Sequence, residues 1–119
     1  MQDFHNLKVW MKAHQLALAI YSVTQTFPKE ETYGLRSQLR SASSSIGMNL
    51  AEGCGRDGDK EFARFVHFSM GSANELEYQL LLSRDLRLIR PTQHEDLQNR
   101  VTEIKRMLTS LLRKLRAVS

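Results

Sequence analysis

The chain is short of the residue types that most often carry chemistry or lock a fold covalently. Cys54 is its only cysteine. That excludes an intramolecular disulfide and a cysteine-based metal cluster, and it points to a reducing compartment, the cytoplasm. Only Pro28 and Pro91 interrupt the chain, so long helices can form between them. No apolar run approaches the roughly 18 residues that a membrane span needs. Residues 16–21 are apolar and follow Lys8 and Lys12, but the run is too short for a signal peptide. Thr24-Gln25-Thr26 is also not a small-residue cleavage site, so no membrane partner is expected.

Metal chemistry has little to stand on. The histidines are His5, His14, His67 and His94, and no two lie at i, i+4. H-E-x-x-H and paired Glu-x-x-His motifs are both missing. Asp57-Gly58-Asp59-Lys60-Glu61 begins like a calcium loop, but Phe62 replaces the required glycine and Phe68 the bidentate glutamate. No metal and no cofactor are expected. Ser43, Ser44 and Ser45 are not preceded by a strand pattern, so they do not form a nucleophile elbow. Glu75 and Glu77 are two positions apart on a helical pattern and face different ways. The chain is therefore read as non-enzymatic.

What the chain does contain is helical periodicity. Its 119 residues suffice for one domain, 1–119, with a real core. A first helix is expected over about residues 7–26, with Asn6 as N-cap and Phe27-Pro28 as its end. A second lies within residues 33–56. Its inward stripe is Leu35, Leu39, Ala42, Ile46, Asn49 and Gly53. So many small and polar residues give poor helix propensity, so this helix needs close packing from neighbours. Asp59 is a candidate cap for a third helix over about residues 60–88. There Ser69, Gly71, Ser72 and Ala73 form a small-residue patch suited to close helix approach. Pro91 breaks that helix. Thr92 and Glu95 have capping-box spacing for a fourth, ending near Ala117. Its seam is Leu97, Val101, Ile104, Leu108, Leu111 and Leu115 in 4-3-4-3-4 spacing. No segment alternates with period two. The expected fold is all-α, an antiparallel up-and-down four-helix bundle.

The first helix carries two apolar stripes. One is Val9, Ala13, Leu16, Ile20, Val23 and Phe27. The other runs through Leu7, Trp10 or Met11, Ala17 or Leu18, and Tyr21, with His14 between. A bundle covers one side only, so the other needs a second subunit or a central position among the other three helices. A homo-oligomer is the expectation.

The net charge is +4, and it is unevenly placed. Residues 1–83 hold eight Lys and Arg against nine Asp and Glu, whereas residues 84–119 hold nine against four. The fourth helix bears Arg100, Lys105, Arg106, Arg113, Lys114 and Arg116, and Arg36 and Arg40 form a like-charged i, i+4 pair on the second. These eight residues are the candidate nucleic-acid contacts, directed at phosphates. The alternative is a basic face paired with acidic residues of a neighbouring subunit. With no aromatic beside these charges in sequence, base recognition is not expected. Asn49, Glu52 and Arg56 share one face, and Glu52 and Arg56 are spaced for an ion pair. They read as a polar group fixing helix register.

Several spaced motifs together resemble a known family. They are Phe4-His5-Asn6-Leu7-Lys8-Val9-Trp10, Phe27-Pro28, Tyr33-Gly34-Leu35, Ser45-Ile46, Asn49-Leu50-Ala51-Glu52-Gly53, Glu61-Phe62 with Phe65, and Gly71-Ser72-Ala73-Asn74-Glu75-Leu76. They look like the bacterial four-helix bundle proteins of the 23S rRNA intervening-sequence family. The resemblance covers about residues 3–88, and the fourth helix matches only in character. It implies a homopentamer with no catalytic residues to carry over. The fold is also similar to the accessory variability-determinant proteins of diversity-generating retroelements. Those are basic pentamers that bind a reverse transcriptase and nucleic acid, so RNA, DNA or a reverse transcriptase become candidate partners by resemblance.

Overall fold

The computed structural model describes residues 2–117, and every regular element among them is helical. Four α-helices follow in order: α1 (Lys8–Thr24), α2 (Leu35–Cys54), α3 (Asp59–Asp85) and α4 (Pro91–Ala117). Short 3-10 turns at Phe4–Asn6 and Lys29–Glu31 precede α1 and α2. Each helix packs on its neighbour in sequence and α4 returns against α1, while the backbones of α1 and α3, and of α2 and α4, stay apart. The particle measures 46 × 22 × 19 Å. Its long dimension is close to one 27-residue helix, about 40 Å at 1.5 Å per residue.

Local chemistry sets the helix ends. Asn6 does not cap α1. Asp3 caps the preceding turn instead, accepting from the His5 backbone N–H at 3.0 Å. Hydrogen bonding from His5 holds the exposed Asp3 carboxyl below its ordinary range. Asp59 is the first residue of α3 rather than its cap. The cap position is Gly58, whose φ of 83° and ψ of 158° suit glycine almost alone. α3 stops at Asp85, earlier than its apolar pattern suggests. Leu88 N–H donates to Ser83 O and Arg87 N–H to Arg84 O, both at 2.9 Å, with Arg87 at φ 61°. That is a Schellman termination with arginine where glycine is usual, so the sequence carried no stop signal. Thr92 does not cap α4 either. Pro91 opens the helix, and the Gln93 side chain reaches back to accept from Arg90 N–H at 2.9 Å.

All four helices contribute to one core, and Leu16, Ile20, Leu39, Ile46, Leu50, Leu76, Leu80, Ile104 and Leu108 are fully buried. The α4 seam shifts at its end. Leu112 and Leu115 are buried, while Leu111 is half-buried. An untwisted helix of 3.6 residues per turn drifts off a 3.5 repeat, which moves the inward position by one residue.

The support for α2 is now visible. Gly53 lies against α3 so closely that a Cβ there would sit 2.9 Å from both Phe62 Cδ1 and Phe65 Cβ. Ser69 donates to Ile46 O at 2.8 Å, and Ser72 donates to Ser45 Oγ at 2.9 Å. Asn49 Nδ2 donates to Ser45 O at 2.9 Å and lies 3.0 Å from Ser45 Oγ. Short hydroxyl side chains thus hydrogen-bond across two backbones that approach closely. Gly71 is not part of this contact. It is exposed, with nothing near its missing Cβ. Cys54 is buried against this end of α2, and that burial pushes its thiol above the ordinary range. A protonated, buried thiol is a poor nucleophile.

On α1 the first stripe is inward, with Thr24 buried and Val23 only half-buried. The second stripe stays open, and Met11, Leu18 and Tyr21 are exposed. α1 is therefore not a central helix. No helix of the described residues is long and apolar enough to cross a membrane.

Candidate functional site

The eight candidate cations do not form one surface. Arg36 and Arg40 turn toward the C-terminal end of α1. Arg36 Nη2 donates to Phe27 O at 2.8 Å. Arg40 Nε donates to the buried Thr24 hydroxyl at 2.9 Å, and its Nη2 donates to Tyr21 O at 3.1 Å. The Arg40 guanidinium also lies 4.6 Å from the Tyr21 ring centroid. A helix C-terminus presents unpaired carbonyls and partial negative charge, and these two arginines answer both. The like-charge repulsion between them is offset by these separate carbonyl and hydroxyl acceptors.

The α4 cations divide further. Arg100 pairs with Asp96 at 3.2 Å and Lys105 with Glu77 of α3 at 2.8 Å. Glu103, the acidic residue amid these charges, is taken by Lys12 of α1 at 3.2 Å. Arg116 Nη2 lies 3.0 Å from His67 Nε2. Arginine can only donate, so His67 accepts through Nε2 in that contact. Among the described residues, Arg106, Arg113 and Lys114 are exposed and have no carboxylate within ion-pair distance.

Two of these three lie along a groove. α3 and α4 bound an open depression of about 660 Å³, lined by Met70, Asn74 and Glu77 from one side and Thr102, Lys105, Arg106, Thr109, Ser110 and Arg113 from the other. Arg106 and Arg113 are two turns apart on one face, roughly 10 Å along the axis. The Ser110 hydroxyl and the Asn74 amide lie in the same groove, while the Thr109 hydroxyl there is already donated to Lys105 O at 2.9 Å. Guanidinium, hydroxyl and amide groups in one trough are the donors that phosphate oxygens accept from. Among the described residues, the only carboxylate lining it is Glu77, which is already paired with Lys105.

The register group splits as well. Asn49 belongs to the hydrogen-bond chain from α2 to α3, through Ser45 to Ser72. Glu52 and Arg56 make their ion pair at 2.6 Å, but on the exposed surface, with Arg56 4.9 Å from the Phe65 ring centroid. Such exposed pairs contribute at most about 1 kcal/mol. Among the described residues no group of histidine, cysteine and carboxylate side chains is placed to hold a metal ion.

Sequence reasoning missed the α3 side of the groove, Met70 and Asn74, and Tyr78 of the depression that adjoins it. The available signal was that Asn74 and Tyr78 fall off the buried stripe of Leu76, Leu80 and Ser83. Which neighbour they face is decided by the packing of α3 on α4.

The family model described as 23S rRNA-intervening sequence protein matches residues 5–110. Among solved structures, a protein of unknown function from the S23 ribosomal protein family of Bacteroides thetaiotaomicron VPI-5482 is similar, with a TM-score of 0.79 at 26% identity. The match covers 87% of this chain and 97% of that one. No curated protein matches.

Proposed function

Because the chain belongs to the 23S rRNA-intervening sequence protein family, we propose that it is a non-enzymatic, basic helical bundle that contacts RNA or a ribonucleoprotein through phosphates. The observation that carries this reading is the α3–α4 groove, where, among the described residues, Arg106 and Arg113 have no carboxylate within ion-pair distance and stand beside hydroxyl and amide groups. The likeness to retroelement accessory proteins extends the partner class to DNA or to a reverse transcriptase with its bound nucleic acid. A non-catalytic role is supported by Cys54, whose burial raises its thiol above the ordinary range. The cytoplasm is the proposed compartment.

RNA gel shifts across salt concentrations test the reading. Binding should weaken steeply as salt rises. An Arg106→Glu, Arg113→Glu, Lys114→Glu triple variant should bind far more weakly, with the slope of log affinity against log salt reduced by about three units. No shift at about 50 mM salt, where phosphate contacts are strong, would refute it.

The second reading is a structural or protein-interaction oligomer without nucleic acid, and the open α1 stripe favours self-association in either case. We propose a homo-oligomer, by family likeness a pentamer, built from single-domain antiparallel bundles. Contacts in opposite order along partner helices support the up-and-down arrangement. Thr24 meets Arg40 while Trp10 lies beside Gly47, and Glu77 meets Lys105 while His67 meets Arg116. Light scattering at micromolar concentration should give a multiple of the 13.7 kDa chain. A Met11→Lys, Leu18→Asp variant should shift toward monomer. A monomeric wild-type protein rejects the assembly.

A further inference from the structure

In sequence, no aromatic residue stands beside the α4 cations. The fold supplies one from α3. Tyr78 is 62% exposed and, with His94 and Gln98, lines a depression of about 480 Å³ at one end of the α3–α4 trough. That depression shares Asn74, Glu77 and Lys105 with the groove of Arg106 and Arg113, so the two adjoin along the α3–α4 seam, with the Lys105–Glu77 pair between them. Gln98 and Arg113 are fifteen residues apart on α4, so the two together span roughly 22 Å.

The other exposed aromatics near cations are already engaged. The Arg64 guanidinium lies 5.2 Å from the Phe68 ring centroid and is itself paired with Glu61. Tyr21 is covered by Arg40. Tyr78 has no guanidinium over its ring among the described residues.

We propose that the α3–α4 groove takes a single-stranded nucleic acid, with one base stacked on Tyr78 and its phosphates running to Arg106 and Arg113. The inference rests on the RNA reading above and narrows it. A duplex keeps its bases inside and presents only its backbone to such a groove, leaving Tyr78 unused. A single strand can turn a base out onto an aromatic face. Stacking is tolerant of sequence because every base has a π-face. The amides of Asn74 and Gln98 offer donors and acceptors beside that face, with Gln98 Nε2 also donating to Thr102 Oγ1 at 3.3 Å. Glu77 does not repel the passing strand, because Lys105 neutralises it at 2.8 Å.

The test compares three labelled probes by fluorescence anisotropy at low salt: a single strand of about twelve nucleotides, an abasic strand with the same phosphates, and a duplex. The ordinary strand should bind about tenfold tighter than the abasic strand, the size expected of one stacked base. Tyr78→Ala should erase that ratio, Tyr78→Phe should keep it, and the duplex should behave like the abasic strand. Tyr78 is exposed, so the alanine variant should fold, which circular dichroism checks. Equal binding of the ordinary and abasic strands by the wild-type protein overturns the stacking proposal and leaves phosphate binding intact. A ratio that survives Tyr78→Ala overturns it as well. If none of the probes binds, the RNA reading itself falls and this inference falls with it.

Discussion

Leu108→Ala is expected to destabilise the protein by about 2–5 kcal/mol. Leu108 is fully buried on α4, in the same core cluster as Leu76, Ile46 and Leu16 from the other three helices. Removing its isobutyl group forfeits the transfer free energy and leaves a void that four long helices cannot close without moving together. Urea unfolding at fixed protein concentration measures it, since self-association would otherwise shift the midpoint. The paired experiment is Leu111→Ala against Leu112→Ala. Leu112 is buried and Leu111 only half-buried, so the second truncation should cost more. The reverse order would mean that α4 keeps the strict heptad seam to its end, contrary to the packing described above.

Two glycines should respond in opposite directions. Gly53→Val is expected to destabilise by about 1–3 kcal/mol through overpacking. Its first side-chain carbon would stand 2.9 Å from Phe62 Cδ1 and Phe65 Cβ. The Phe62 ring can swing away, but Phe65 Cβ is fixed to the α3 backbone, so α2 and α3 must separate. That separation strains the bonds from Ser69 to Ile46 and from Ser72 to Ser45. Gly71→Ala should instead stabilise by about 1 kcal/mol, because Gly71 is in mid-helix with open space around it. Thermal melts of both variants decide the matter. A Gly53→Val protein as stable as wild type would show that the α2–α3 approach is looser than its geometry, and a destabilised Gly71→Ala protein would show that something outside the chain packs there.

The difference between these glycines shows where sequence reading stops. Both sit among small residues on helical patterns, and composition alone treats them alike. Gly53 occupies an inward position at the narrow end of α2, while Gly71 lies on the outer face of α3. The same limit applies to the cations. Arg36 and Arg40 look like a surface charge pair in sequence, because the carbonyls they bind belong to residues 9 to 19 positions away. Likewise Lys105 is paired by Glu77, 28 positions earlier. Only Arg106, Arg113 and Lys114 keep the exposed, carboxylate-free character among the described residues that the charge pattern suggested for all of α4.

Helix number, order and inward stripes were legible because they depend on a 3.6-residue period and on Pro91, both local properties of the chain. The strongest stripes, on α1 and α4, were read correctly almost throughout. Helix ends were less legible where termination uses backbone bonds rather than a signal residue, as at Arg87. Family membership was also legible, since it rests on spaced motifs rather than on shape. What the sequence by itself determined, then, is an all-helical chain with a basic last helix and an overly apolar first one. Tertiary packing alone decided which cations are neutralised, which glycine admits a neighbouring helix, and that Tyr78 lines a depression adjoining the groove of Arg106 and Arg113. Each of these depends on which faces of two helices meet, and no single helix encodes the rotation of its partner.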